Sequence, residues 1–341
     1  MYIDNRAERS AGMHPPQENL MSTIIARCAA DYDGHRVTVP AEDGVPLAVR
    51  AFGTDTAPVT VVFVHGHCLR TESWSFLRDQ LLRQWGAETR MIFYDHRGHG
   101  ESGEAHPSTY TIDQLARDLD TVLRAVAPTG PVILVGHSMG AMVVLAYARL
   151  FPEMIGTRVV GVGLIAGAAN GITEVGLGRF LKRRAVNSLQ VAVVRAPRVM
   201  QGSKRLSRRI FEPIMRAANS GTRKVNPRMV AVATAMLNDT PLLTMSSFLG
   251  SLITFDETAS LHRLGAIPAL VLAGTADIVV PFAHSVVLAS QLAGSQLVPL
   301  EGAGHSVIFE RAEEVAVSIV GLVDQVVTSM RGQGPEFAVA G

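Results

Sequence analysis

The sequence predicts an α/β protein: a mostly parallel, eight-stranded sheet with helices on both faces and a mainly helical segment inserted late in the chain. Short apolar runs alternate with stretches of helical spacing, the pattern of repeated strand–helix units whose crossovers lay helices over both sheet faces. One such unit turns sharply at Gly136-His137-Ser138-Met139-Gly140. The alternation then lapses between about Ala166 and Ala266, a stretch too long for a loop in a compact domain.

In chain order, Arg36–Val39 and Pro46–Phe52 read as short strands joined by the turn Glu42-Asp43-Gly44. Val59–His65 is an apolar strand, and Glu72–Trp85 has helical spacing through Trp74, Leu77 and Leu81. Arg90–Tyr94 is the next strand. Thr111–Val126 is the next helix, opened by Thr111 and Gln114 at the spacing of a capping box. Pro131–Val135 reads as a buried strand, Ala141–Leu150 as a helix and Val159–Ile165 as a strand. After the lapse, Ala269–Leu272 and Gln296–Leu300 are strands on either side of a helix at Phe282–Leu292, and a helix from Val307 to about Val327 closes the fold. Residues 34–168 and 266–330 then form the core, 169–265 an inserted cap, and 1–33 and 331–341 tails. Pro131 to Ala148 approaches membrane-spanning length, but Gly136, His137, Ser138 and Gly140 in its middle suit a strand followed by a helix.

A chain of 341 residues can bury a sizeable core. Its formal net charge of +1 gives no overall bias toward nucleic acid, yet it combines two unlike parts. Residues 171–230 hold 14 Lys or Arg against Glu174 and Glu212, a balance of +12 that leaves −11 for the rest. Cys28 and Cys68 make neither a disulfide framework nor a zinc site. The first residues lack a signal-peptide layout, so a cytoplasmic location is expected.

Ser138 stands where a strand turns into a helix. That turn strains the backbone, glycines two residues to either side relieve crowding, and the helix N-terminus offers N–H groups to a developing negative charge. A serine hydroxyl attacks only when a base takes its proton and a third group orients that base. In an open α/β sheet such partners lie beyond the carboxyl ends of later strands. Asp277 is the only acid between Ala273 and Pro281, and His305 follows the last strand among small residues. Asp256 and Glu301 are lesser candidates for the acid.

With Val64-His65-Gly66, Asp95-His96-Arg97-Gly98-His99-Gly100-Glu101-Ser102, the Ser138 turn, Gly274 through Asp277, and Gly304-His305 in that order, the chain resembles the α/β-hydrolase superfamily. The likeness is to its lidded serine esterase, lipase and epoxide-hydrolase-like branch and covers about residues 36–327. It implies Ser138 as nucleophile, Asp277 as orienting acid and His305 as base, with the backbone N–H groups of Met139 and His67 as oxyanion hole. It further implies a serine hydrolase that cleaves a carboxylic ester (or thioester) with an apolar acyl chain and needs no cofactor. Hydrolysis of carbon–carbon bonds in ring-cleavage diketones and cofactor-free perhydrolysis are alternatives on the same triad. Epoxide hydrolysis is disfavoured, since those relatives carry Asp where Ser138 stands. From another class, a binding module that kept the fold and lost catalysis is the competing reading. The resemblance explains Asp95–Ser102 as a structural turn in which Asp95 and Arg97 hold nearby loops, so no metal is expected despite the histidines around it.

Cys68, Trp74, His137, Met236 and Phe248 are candidate pocket residues. The runs Met229–Leu237 and Leu242–Ile253 suggest an apolar acyl cavity under the cap. The basic segment reads as a solvated helix face, as a contact with an anionic membrane surface, or as a site for a phosphorylated or CoA-linked substrate. The expected partner is a small-molecule apolar ester, with an anionic membrane surface met through the basic cap as one of those alternatives and no nucleic acid; oligomeric state is left open.

Overall fold

Eight strands make one sheet: β1 (His35–Pro40), β2 (Pro46–Phe52), β3 (Thr60–Val64), β4 (Arg90–Tyr94), β5 (Val132–His137), β6 (Val159–Ile165), β7 (Ala269–Gly274) and β8 (Gln296–Leu300). The computed structural model describes residues 34–86, 89–180, 183–196 and 227–332, with 227–231 described for their helix alone. The expected tail 1–33, Cys28 and all of the basic run except Arg179, Arg183, Arg184 and Arg195 lie outside the described side chains. The described residues from Arg36 onward form one compact unit.

The sheet order is β1-β2-β4-β3-β5-β6-β7-β8. β2 runs antiparallel to β4, and from β4 across to β8 each neighbouring pair is parallel. The central strands read as continuous apolar runs because both faces are covered. Val62, Val64, Val132 and Leu134 enter the core on one side, and Val61, Phe63, Ile133 and Val135 enter it on the other. Helices α1 (Ser75–Trp85), α2 (Ile112–Val126) and α3 (Met139–Leu150) cover the sheet, with Leu77 and Leu81 of α1 on one face and Leu115, Leu119 and all of buried α3's aliphatic residues on the other. The chain leaves β3 in one direction and β5 in the other. The gap between their carboxyl ends is therefore the topological switch point, where such sheets place a site.

Between β6 and β7 run a 3-10 turn (Gly176–Phe180), helices α4 (Arg183–Arg195), α5 (Pro227–Asp239) and α6 (Leu242–Ile253), and a second 3-10 stretch (Thr258–Leu264). Phe248 and Leu252 of α6 join the core. Ser251 Oγ accepts the Ile112 N–H at 3.0 Å, and Arg149 bridges Asp113 and Glu257, so the connection is tied to α2 and α3. α4 holds on by less. Val186 and Val193 are buried and Gln190 donates to the Ser246 and Ser247 carbonyls, whereas Val191 and Val194 are 49% and 58% exposed.

After β7 come α7 (Phe282–Gln291), α8 (Val307–Glu310) and α9 (Ala312–Gly332). Where the sequence predicts one helix from Val307, the structure breaks it at Arg311 (φ −135°, ψ 39°). The Glu310 carboxylate turns back to accept the Gly304 N–H, and Arg311 donates to the Glu301 carbonyl at 3.0 Å, so both side chains serve the preceding loop. α9 is long and apolar enough to cross a membrane by length and composition, but Val315, Ile319, Leu322 and Val326 pack into the core. The expected helix from Glu72 opens as a 3-10 turn (Thr71–Trp74), because the Thr71 N–H is drawn to Asp95 Oδ1 at 2.7 Å. Thr111 caps α2 by accepting the Gln114 N–H at 3.1 Å. Half of the expected capping box forms, since the Gln114 side chain reaches forward to Asp118 instead of back.

Candidate active site

The turn from β5 into α3 holds Ser138 at φ 54° and ψ −118°, a left-handed conformation that a non-glycine residue adopts only under constraint. The Ser138 N–H donates to the Ile165 carbonyl at 2.9 Å and its carbonyl accepts from Ala141, which fixes the turn from both sides. A Cβ on Gly140 would collide with the carbonyl of Val64, and one on Gly136 would collide with the backbone of Gly140. On Gly66, a Cβ would stand 3.2 Å from Ser138 Cβ. Three backbone segments thus meet through glycine hydrogens alone, which brings the loop after β3 against the serine.

The structure brings Ser138, His305 and Asp277 together. Ser138 Oγ donates to His305 Nε2 at 2.9 Å, and His305 Nδ1 donates to Asp277 Oδ2 at 2.8 Å. The other Asp277 oxygen accepts the N–H groups of Val279 and Val280 at 2.8 and 2.9 Å. The carboxylate is buried and satisfied, which holds it as an acceptor for the imidazole. His137 donates from Nε2 to the His305 carbonyl at 3.0 Å, and burial, with His305 beside it, pushes its own pKa down to about 3. It is a neutral buttress beneath the base.

Met139 is the first residue of α3, so its N–H has no acceptor within the helix and opens beside Ser138. The loop His65–Thr71 supplies the second expected donor, His67. Burial pushes the pKa of the His67 ring down to about 4, and the ring lies 6.0 Å from Phe248. Asp95 ties the same loop to its own turn by accepting the N–H groups of Thr71 and, at 2.8 Å, of Glu101, and burial raises its pKa to about 6. Arg97 is fully buried, forked onto both Asp118 oxygens at 2.6 Å and onto Asp43 at 2.7 and 3.1 Å. Asp43 and Asp118 were not legible as partners: they lie 54 and 21 residues from Arg97 and belong to no shared motif. Among the described residues, no group of three or more His, Cys, Asp or Glu is placed to hold a metal ion.

The remaining pocket candidates fall in different places. Trp74 is core, buried with its ring 5.3 Å from Phe63 and 6.3 Å from His137. Phe248 is buried too, packed 5.1 Å from Tyr110 and 5.6 Å from His99. Cys68 is buried in the His67 loop at φ 59°. Met236 lines a cavity of about 220 Å³ with Arg70, Ser102, Glu104 and Asp239.

The profile of the alpha/beta hydrolase family matches residues 61–318. A proline iminopeptidase of Pestalotiopsis fici is 25% identical over 280 residues, covering 81% of this chain and 95% of its own. A monoacylglycerol lipase of Mycolicibacterium smegmatis is 29% identical over 173 residues, 47% of this chain and 60% of its own. Among solved structures, a thermophilic esterase from Thermogutta terrifontis superposes with a TM-score of 0.67 at 24% identity, covering 86% of this chain and 99% of that one, which speaks for the fold.

Proposed function

The chain belongs to the alpha/beta hydrolase family, and on that premise we propose that it is a serine hydrolase cleaving a carboxylic ester (or thioester) with an apolar acyl chain through an acyl-enzyme on Ser138. The observation that carries this reading is the unbroken relay from Ser138 Oγ through the His305 ring to Asp277, at 2.9 and 2.8 Å. As Oγ attacks the ester carbonyl carbon, its proton passes to His305 Nε2 and Asp277 stabilises the imidazolium. The carbonyl oxygen becomes an oxyanion held by the N–H groups of Met139 and His67. Collapse breaks the bond to the leaving alkoxide, which takes the proton from His305. Water then gives a proton to His305 as it attacks the acyl-enzyme, Ser138 Oγ departs with that proton, and the acid is released. Support for an apolar acyl group comes from α6, whose Phe248 stands against the His67 loop and whose Met245 and Leu249 remain half-buried beside it.

Ser138→Ala tests the proposal. Turnover of short p-nitrophenyl esters should fall by about a thousandfold or more and covalent labelling by a fluorophosphonate probe should vanish, with the melting temperature unchanged. A variant that retains wild-type turnover overturns the assignment. Wild-type protein that the probe leaves unlabelled favours a binding module, and activity confined to a vinylogous diketone moves the reaction to carbon–carbon cleavage.

A further inference from the structure

We propose that His99 is a positioning residue of the oxyanion hole: its Nε2 accepts the N–H of Cys68 and thereby holds the preceding peptide, with the His67 N–H, toward Ser138. The inference rests on the reading of Ser138 as nucleophile and names a residue that acts on it through the backbone.

The His67 loop is fastened almost atom by atom. The His65 ring donates from Nδ1 to the Gly66 carbonyl at 2.8 Å and accepts the His96 N–H at 2.9 Å on Nε2. His96 returns a bond from its Nε2 to the His65 carbonyl at 3.0 Å. Leu69 donates to the Gly66 carbonyl at 3.2 Å and Thr71 donates to Asp95 at 2.7 Å. Between these ties Cys68 sits at φ 59°, which an ordinary side chain abandons unless something holds it there. What meets its N–H is His99 Nε2, at 3.2 Å in a buried setting. Among the described residues no protein acceptor meets the neighbouring His67 N–H, which leaves it for an incoming oxygen.

His99 is built to be that acceptor. Its Nδ1 donates to the Arg97 carbonyl at 3.1 Å, which fixes the proton there and leaves a lone pair on Nε2. The ring is buried, 5.3 Å from His65 and 5.6 Å from Phe248, so it has little room to turn. Burial also drives its pKa well below the usual imidazole range, which keeps the ring neutral and able to accept. A buried histidine that only filled space would leave the rate per bound substrate untouched when replaced by another ring. A positioning histidine would not, because a misplaced N–H fails where charge develops in the transition state and not where substrate binds.

The full chain carrying His99→Phe, which keeps a ring and removes the acceptor, is compared with His99→Gln, whose amide oxygen reaches about as far as Nε2. For a short p-nitrophenyl ester, His99→Phe should lower kcat by about ten- to a hundredfold with KM within about twofold, and slow fluorophosphonate labelling in parallel. His99→Gln should recover most of the loss. Amide hydrogen exchange at Cys68 should be slow in the wild type and fast in His99→Phe. Wild-type kcat in His99→Phe, a loss shared equally by the Gln variant, or unchanged Cys68 exchange would each overturn the proposal. If the wild type neither turns over esters nor takes the probe, the Ser138 reading has failed, and Cys68 exchange still decides whether His99 holds the loop.

Discussion

The loop after β3 and the connection between β6 and β7 meet at Phe248, but they are held by different means. In the loop, backbone groups from residue 65 to 71 are bonded to side chains on the Asp95–Ser102 turn, and Gly140 of α3 comes against the backbone of Val64 and His65 where no Cβ would fit. In the connection, α4 rests on α6 through Val186, Val193 and the amide of Gln190, while its outer face carries Arg183, Arg184, Val191 and Arg195 into solvent. The first region is specified by hydrogen-bond partners and close backbone contacts. The second is held by apolar packing with a few side-chain bonds, which leaves the outer surface of α4 free to take up charge.

Adding one methyl group against the start of the loop and one within the connection is the sharpest way to break this contrast. Gly140→Ala drives a Cβ into the Val64 carbonyl, with backbone on both sides, and should cost about 4 kcal/mol or more, seen as loss of soluble protein or a collapsed melting temperature. Asp118→Ala comes next. It strips one of two carboxylates from the buried Arg97, leaves the charge half-compensated, and should cost about 3–5 kcal/mol in urea unfolding. Gly250→Ala in α6 should matter least. Its new Cβ meets only the end of the Gln190 side chain, and the gain in helix propensity offsets a weakened bond to Ser246, for a net change within about 1 kcal/mol. Equal losses at Gly140 and Gly250 would erase the distinction between the two regions.

The same distinction explains what is readable in the sequence. The eight strands and most helices were legible because burial imposes a period, and Ser138, Asp277 and His305 because each follows a strand at a turn with few other polar choices. Asp277 is an instructive case: by itself it reads equally as a turn former before Pro281, and the resemblance to the family motif singled it out. Arg97 and its carboxylates were not legible as a unit, since pairing across 21 and 54 residues leaves no period. The break at Arg311 was hidden because apolar spacing runs straight through it, while its cause is a carboxylate folded back onto Gly304. Trp74 could be read as pocket or core, and only its packing on Phe63 decides for core.

The bond from the His137 ring to the His305 carbonyl has one more consequence. It rivets the last loop of the sheet to the strand that carries the attacking oxygen, so proton acceptor and hydroxyl share a single reference frame. Thermal breathing that displaces β8 then shifts both groups in step, and their separation changes less than either position does. Heat inactivation should accordingly follow the loss of that rivet as one event, not as a gradual drift of two independent parts.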